Sequence, residues 1–124
     1  MRQFVEAAAL ALKVNPAAIP QVLLAVNEIV TNVIVHGYRG QDGTIEIEVA
    51  QEGQSLVIRV RDQAQLFNPT RVPPPDLSLP LDQRPLGGMG IYLTRYFTDA
   101  MSHRVTAEGG NELTLVKKGI INNY

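Results

Sequence analysis

At 124 residues the chain is long enough to bury one hydrophobic core, and we predict a single domain over residues 1–124. Its 11 basic residues nearly balance its 12 acidic ones and are scattered, which argues against direct nucleic-acid binding. The absence of cysteine excludes a disulfide scaffold, a thiolate metal site and a cysteine nucleophile. No apolar run approaches membrane-spanning length and the N-terminus lacks a signal-peptide layout, so we expect a cytoplasmic protein with no membrane partner.

The first third of the chain predicts two helices. Residues 1–13 are rich in alanine and place apolar side chains at helical spacing. Asn15-Pro16 interrupts this segment. A second helix is expected to begin near Pro20, since proline is tolerated in a first turn, and to end near Gly37.

The remaining periodic segments predict a sheet and a third helix. Residues 44–49 alternate apolar and polar side chains, and residues 55–61 follow after a turn, which predicts an antiparallel hairpin. Residues 91–97 have a helical composition, and two last strands are predicted at 102–107 and 112–118. This order favours an α+β, two-layer sandwich with the helices packed on one face of a mixed or antiparallel sheet.

A proline-rich segment separates the hairpin from the third helix. Residues 63–85 contain six prolines and show neither helical nor strand periodicity. A loop of this length inside a compact domain is usually either functional or disordered. We predict a lid at about residues 63–87 that closes over a bound ligand and excludes water.

Three groups of residues are candidates for chemistry. Glu28 and Asn32 are four residues apart on one helix face, where they can hold Mg2+ or take up a proton; an isolated pair of this kind is more often a solvated polar stripe. Asp62, after a strand, can accept a hydrogen bond from an exocyclic amine or simply serve a turn. The glycine run at 87–90 precedes a helix, whose free N–H groups can bind phosphate, or forms an ordinary turn. Arg84 lies in the predicted lid, where it can reach a phosphate or remain solvated.

The combination of these motifs is more specific than each one alone. Residues 28–38 (EIVTNVIVHGY) resemble the N-box of the GHKL ATPase superfamily, and residues 61–69 (RDQAQLFNP) resemble its next box. Residues 86–91 (LGGMGI) resemble its glycine box, and residues 110–115 (GNELTL) resemble its last strand. Within the superfamily, the chain is similar to the bacterial anti-sigma-factor serine kinases of the RsbW and SpoIIAB type. The resemblance implies a histidine-kinase-like ATP-binding domain with the Bergerat fold.

The resemblance also implies roles for the matched positions. Glu28 would be the general base that activates a serine hydroxyl, and Asn32 would be the Mg2+ ligand. Asp62 would bind the adenine amine of ATP. The segment Gly88-Met89-Gly90 would line the phosphates at the closing edge of the lid, where Arg84 also lies.

The implied function is that of an ATP-binding anti-sigma regulatory factor and serine/threonine protein kinase. Its expected partners are a small anti-sigma-factor antagonist of the STAS type and a sigma-factor-like target, with dimerisation through the exposed sheet or the first helix. An alternative is a non-catalytic, nucleotide-sensing module that binds ATP and a partner but transfers nothing.

The chain departs from the family pattern at three places, and the first two motivate that alternative. Ala64 stands where the family usually has glycine in an Asp-x-Gly motif, which would weaken nucleotide binding if the position required a positive φ. Asn111 follows Gly110 where the family commonly has threonine, and it could offer a polar contact near adenine. The family usually begins with a strand before the first helix, whereas Met1 leads here almost directly into that helix, which would leave a sheet edge for a partner or a neighbouring chain to cover.

Overall fold

The structure, a computed structural model, describes residues 1–71, 78 and 88–122 and has the predicted α+β architecture. Helices α1, α2 and α3 pack with a four-stranded sheet. The predicted lid lies largely outside the described residues, as do Arg84 and Gly87. The elements are α1 (Arg2–Ala11), α2 (Ile19–Asn32), β1 (Ile45–Glu52), β2 (Ser55–Asp62), α3 (Gly88–Phe97), β3 (Ala100–Val105) and β4 (Asn111–Lys117).

The sheet has the strand order β1-β2-β4-β3, and each neighbouring pair is antiparallel. The predicted hairpin between β1 and β2 is therefore confirmed. Strand β4 inserts between β2 and β3, so the final strand of the chain lies beside the strand that ends at Asp62. In that register Asp62 pairs with Asn111, the first residue of β4.

Alternation along each strand separates an apolar face from a charged face. On β2, Leu56, Ile58 and Val60 are buried against the helices, and Asp62 continues this row at the end of the strand. On β4, Leu113 and Leu115 are buried in the same core, so Asn111 also lies on the helix side. Both polar residues therefore occupy the rim of the hydrophobic core.

The opposite face of the sheet carries a network of ion pairs across four strands. The Glu112 carboxylate on β4 accepts hydrogen bonds from Arg61 Nε of β2 at 2.7 Å and from Arg104 Nε of β3 at 2.6 Å. Arg61 also donates to Glu48 of β1 at 2.7 Å, and Glu48 accepts from Arg59 at 2.9 Å. Arg59 and Arg61 of β2 therefore form cross-strand ion pairs on the face away from the helices.

Helix α2 belongs to one continuous helical stretch, Pro16–Gly37, which is long and apolar enough to cross a membrane by length and composition. The expectation that no apolar run approaches that length is therefore wrong for this stretch. Its apolar side packs into the core of the protein, and a core helix passes the same test. The buried residues of α2 are Ile19, Val22, Leu23, Ala25, Val26 and Ile29.

Helix α3 begins earlier than the sequence predicted and β3 lies two residues earlier, whereas the helical segment of α2 ends at Gly37 as predicted but in an irregular turn. Helix α3 begins at Gly88, so the last three residues of the glycine run form its first turn and not a loop ahead of it. Helix α2 continues as a wider, π-helical turn over Val33–Gly37. Such turns are uncommon and often lie at functional sites. Here the turn brings Gly37 and Tyr38 to the loop that follows Asp62.

Candidate functional site

The predicted catalytic residue, Glu28, lies against the first turn of α3. A methyl group built on Gly90 would overlap Glu28 Oε2 and would lie 3.1 Å from Glu28 Cδ. Glycine at this position therefore leaves the space that the carboxylate occupies. The fold thus brings together the N-box residue and the glycine box, which are far apart in the sequence.

Glu28 also faces an open groove between α2 and α3 of about 370 Å³. The groove walls are mostly apolar, with Leu24, Leu93 and Tyr96 exposed along it. Among the described residues, none donates a hydrogen bond to the half-buried Glu28 carboxylate. The carboxylate is therefore available to a group that enters from solvent.

Asn32, the predicted metal ligand, is half-buried where α2 passes into its π-helical turn. Its side chain makes no hydrogen bond to the part of the chain that the structure describes. An amide oxygen in this state can take a hard cation, which usually keeps several waters and phosphate oxygens as further ligands. No group of three or more His, Cys, Asp or Glu side chains suited to a metal occurs within residues 1–71, 78 and 88–122. A cation at Asn32 would therefore depend on phosphate and water oxygens.

Asp62, the predicted adenine ligand, is buried at the end of β2 and is held by hydrogen bonds to one oxygen. Its Oδ1 accepts from Asn111 Nδ2 at 2.9 Å and from the Ala64 backbone N–H at 2.9 Å. Within the described residues no donor reaches Oδ2. This oxygen is therefore the one that can accept a hydrogen bond from an amine.

Two contacts to the main chain hold Asp62 and the residue that follows it. The Tyr38 hydroxyl accepts from the Gln63 N–H at 2.8 Å and donates to the Thr44 carbonyl at 2.6 Å. A methyl group at Gly110 would overlap the Asp62 carbonyl oxygen, so β4 can approach β2 this closely only with glycine there. The position of Asp62 is thus set from both neighbouring segments.

Ala64, the departure from Asp-x-Gly, is accommodated without backbone strain. The described non-glycine residues with positive φ are Lys13 and Arg39, so Ala64 is not among them. A methyl group at Gly37 would lie 2.9 Å from the Ala64 methyl, which shows that this methyl packs directly against the Gly37 backbone. The positive φ that would have made alanine unfavourable at this position is therefore absent, and Gly37 leaves space for the Ala64 methyl group.

The remaining predicted site residues are placed only in part. Gly88, Met89 and Gly90 form the first turn of α3, where backbone N–H groups lack partners within the helix. Arg84 lies outside the described residues, so its predicted role stays a prediction. The hydrogen bond between Asn111 and Asp62 was not predicted from the sequence. The feature that could have indicated it is the position of Asn111 at the start of the strand that pairs with β2.

The likeness to known proteins agrees with this geometry. Residues 1–117 match the histidine kinase-like ATPase domain. This chain belongs to that family. The match spans the N-box helix, the strand that ends in Asp62, the glycine-rich start of α3 and β4.

Curated relatives include proteins named as kinases and as anti-sigma factors. Serine/threonine-protein kinase BtrW of Bordetella bronchiseptica is 29% identical over 93 residues, covering 74% of this chain and 65% of the relative. The anti-sigma F factor of Clostridium kluyveri is 28% identical over 106 residues, covering 80% and 68%. Serine-protein kinase RsbW of Bacillus mycoides is 31% identical over 80 residues, covering 61% and 50%. The chain thus spans between half and about two thirds of the length of these relatives.

Proposed function

We propose that this chain binds Mg-ATP and acts as an anti-sigma regulatory serine/threonine kinase that phosphorylates a small antagonist protein. The observation that carries the proposal is the contact of Glu28 with Gly90 at the start of α3. A general base for phosphoryl transfer must lie beside the phosphates, and a helix N-terminus is a favourable place for them. The names of the relatives support the same class of activity.

The nucleotide would be held by three groups from different elements. Backbone N–H groups of the first turn of α3 would donate to phosphate oxygens. The Asn32 amide oxygen, which has no partner among the described residues, would bind Mg2+ together with phosphate oxygens and waters. Asp62 Oδ2 would accept a hydrogen bond from the adenine amine. Arg84 and the rest of the lid at about residues 63–87 would close over the phosphates.

Glu28 would accept the proton of the acceptor hydroxyl while the hydroxyl oxygen bonds to the γ-phosphorus and ADP leaves. The groove between α2 and α3, which Glu28 lines, would give an acceptor side chain a route to this carboxylate. Mg2+, when bound, would neutralise phosphate charge during transfer. The rest of the catalytic effect would come from holding the two reactants in line.

The proposed partners follow from the same family. A STAS-type antagonist would supply the serine, and a sigma-factor-like protein would be the second target. We propose a cytoplasmic location, a domain extending over residues 1–124, and a homodimer as the assembled form. Neither direct nucleic-acid binding nor a membrane partner is part of the proposal.

A second candidate function is a nucleotide-sensing module without transfer activity. Asn111 is compatible with it, because the side chain that replaces the family's threonine is fully hydrogen-bonded inside the protein, where it bears on nucleotide binding and not on transfer. It therefore cannot contact adenine as a free polar group. Such a module would bind ATP and its partner but leave Glu28 without a catalytic role.

The experiment that tests the kinase incubates the protein with Mg2+, γ-labelled ATP and a STAS-type protein from the same genome. We expect label on a serine or threonine of that protein, and we expect Glu28→Gln to lower the rate by about 100-fold or more through loss of the general base. Glu46→Gln, an exposed residue on the far face of the sheet, is the matched control and should transfer at the unaltered rate. Equal rates for Glu28→Gln and the unaltered protein would refute the general-base role. ATP binding without transfer to any STAS-type protein of that genome would favour the sensing module.

A further inference from the structure

We propose that Asn111 is a positioning residue that sets the preference of this site for an adenine base by holding the Asp62 carboxylate in one orientation. The inference rests on the nucleotide-binding part of the proposed function and not on phosphoryl transfer. It concerns a residue at which the chain departs from its family. The hydrogen bonds of Asn111 show what an asparagine at this position does for Asp62.

The side chain of Asn111 uses its full hydrogen-bonding capacity within the protein. A side-chain amide has two N–H donors and two acceptor lone pairs on its oxygen. Its Nδ2 donates to Asp62 Oδ1 at 2.9 Å and to the Gln65 carbonyl at 3.2 Å. Its Oδ1 accepts from the Phe67 N–H at 3.1 Å and lies 2.7 Å from His103 Nε2. Asn111 therefore has no group left for a ligand and must act through Asp62.

The donors to Asp62 determine which of its oxygens faces a base. Asn111 Nδ2 and the Ala64 N–H both reach Oδ1, which fixes the rotation of the carboxylate about its terminal bond. Oδ2 then projects with its lone pairs free of any donor in the described residues. A fixed carboxylate oxygen accepts from an exocyclic amine and repels the carbonyl oxygen that guanine carries at the same ring position.

The orientation of the Asn111 side chain is fixed by His103, which lies on the neighbouring strand β3. Because Asn111 Oδ1 must accept, His103 Nε2 donates to it, and this orders the amide with Nδ2 toward Asp62. A donating Nε2–H is present in the neutral tautomer that carries it and in the charged imidazole, so the contact does not depend on the charge of His103. The hydrogen-bond chain from His103 to Asn111 to Asp62 thus runs from β3 through β4 to β2.

The test compares binding of three probes by calorimetry in Mg2+: ATP, GTP and purine riboside triphosphate, which lacks the 6-amino group. The unaltered protein should bind ATP about tenfold or more tightly than either other probe, the value of one well-placed charged hydrogen bond. Asn111→Leu, similar in shape but unable to hydrogen-bond, should weaken ATP about tenfold while changing purine riboside triphosphate less than about twofold. His103→Leu should act in the same direction by about threefold, because it releases only one contact of Asn111.

Thr114→Val, on the same strand but on the other sheet face, is the matched control and should leave all three affinities unchanged. Thermal unfolding of each variant reports on its folding, and His103→Leu keeps the test decisive if Asn111→Leu does not fold. Equal weakening of ATP and purine riboside triphosphate would overturn the proposal, since it would assign Asn111 a purely structural role. Failure of the unaltered protein to bind ATP would overturn this inference and the proposed function together. Normal ATP selectivity without transfer would count against the kinase alone.

Discussion

The Glu28 carboxylate occupies the space that a side chain at Gly90 would need. The two residues belong to different helices, and their contact joins α2 to the first turn of α3. The nearest atom to a methyl group at Gly90 would be Glu28 Oε2, the far end of a flexible side chain. A larger residue at Gly90 would therefore move the carboxylate and leave the backbone in place.

From this contact we predict that Gly90→Ala lowers the phosphorylation rate strongly while changing the free energy of unfolding little. The free energy of unfolding should change by less than about 1 kcal/mol, because alanine suits a helix and Glu28 can turn away. Serine phosphorylation should fall by about tenfold or more, since a base displaced by about 1 Å loses its alignment. Urea unfolding and transfer of labelled phosphate measure the two effects.

Gly53→Ala is a control for Gly90→Ala in the β1–β2 turn, where a methyl group meets open space but φ is +62°. It should cost about 1–2 kcal/mol of stability, the penalty of a left-handed backbone for alanine, and should not alter transfer. Full activity of Gly90→Ala would show that Glu28 need not lie against α3 for the reaction.

The glycines before β4 allow a second comparison between neighbours. A methyl group at Gly110 would overlap the Asp62 carbonyl oxygen, a backbone atom, whereas one at Gly109 would meet nothing within 4 Å. Gly110→Ala should therefore lower the free energy of unfolding by about 3 kcal/mol through steric overlap. Because β2 must move to relieve that overlap, ATP affinity should fall as well.

Gly109→Ala should cost only about 1–2 kcal/mol, because its φ of +86° is unfavourable for alanine, and it should bind ATP normally. Urea unfolding and calorimetry of both variants decide between steric and conformational effects. If the two alanine variants lose ATP affinity equally, the close approach of Gly110 to Asp62 is not what places the carboxylate.

Short-range patterns in the sequence were sufficient to predict the elements and the sheet faces. The alternation in residues 44–49 and 55–61 identified β1 and β2, because side chains on a strand point to opposite faces with a period of two. The helical position of Glu28 and Asn32 was likewise predictable from spacing. The start of α3 was not, because a glycine run is compatible with both a loop and a first helical turn.

Contacts between distant segments were beyond these patterns. Asn111 binds Asp62 across 49 positions, and this depends on β4 inserting beside β2 in one particular register. Gly37, at the end of the helical segment that contains α2, leaves the space that the Ala64 methyl group occupies. Each residue alone is unremarkable in the sequence, because its role depends on a neighbour that only the folded chain supplies.

A third prediction concerns the metal and Asn32. In Mg2+, Asn32→Ala should weaken ATP binding by about tenfold or more, since it removes the protein ligand of the cation. In excess chelator, Asn32→Ala and the unaltered protein should bind ATP with similar affinities, both weaker than that of the unaltered protein in Mg2+. Calorimetry under the two conditions measures the difference.

Asn27→Ala, an exposed residue on the neighbouring line of the same helix, is the matched control for Asn32→Ala. It should bind ATP as tightly as the unaltered protein does under the same condition, both in Mg2+ and in chelator. An equal loss of affinity for Asn32→Ala with and without Mg2+ would assign the amide to the nucleotide instead of the metal.

The last prediction concerns acid stability and the ion pairs on the open face of the sheet. The hydrogen bond from Arg104, followed by that from Arg61, lowers the pKa of Glu112 from its ordinary 4.5 to about 2. A carboxyl group with a lowered folded-state pKa stabilises the fold above pH 4.5, and this stabilisation is lost as the pH falls from about 4.5 toward 2. We expect the Glu112 carboxylate to add about 2 kcal/mol to the free energy of unfolding at neutral pH. This is less than the full lowering of the pKa implies, because the Arg104 side chain is 66% exposed and the ion pair is partly screened by solvent.

Glu112→Gln should therefore be less stable than the unaltered protein at pH 7 by about 2 kcal/mol, and the two should converge as the pH falls below 4.5. Glu46→Gln is the control on the same face, since Glu46 is 78% exposed and lies 3.9 Å from Arg61. It should change the free energy of unfolding by less than about 0.5 kcal/mol at any pH. Urea unfolding at intervals between pH 7 and pH 3 measures the curves, and parallel curves for Glu112→Gln and the unaltered protein would show that Glu112 does not supply the acid-sensitive stability.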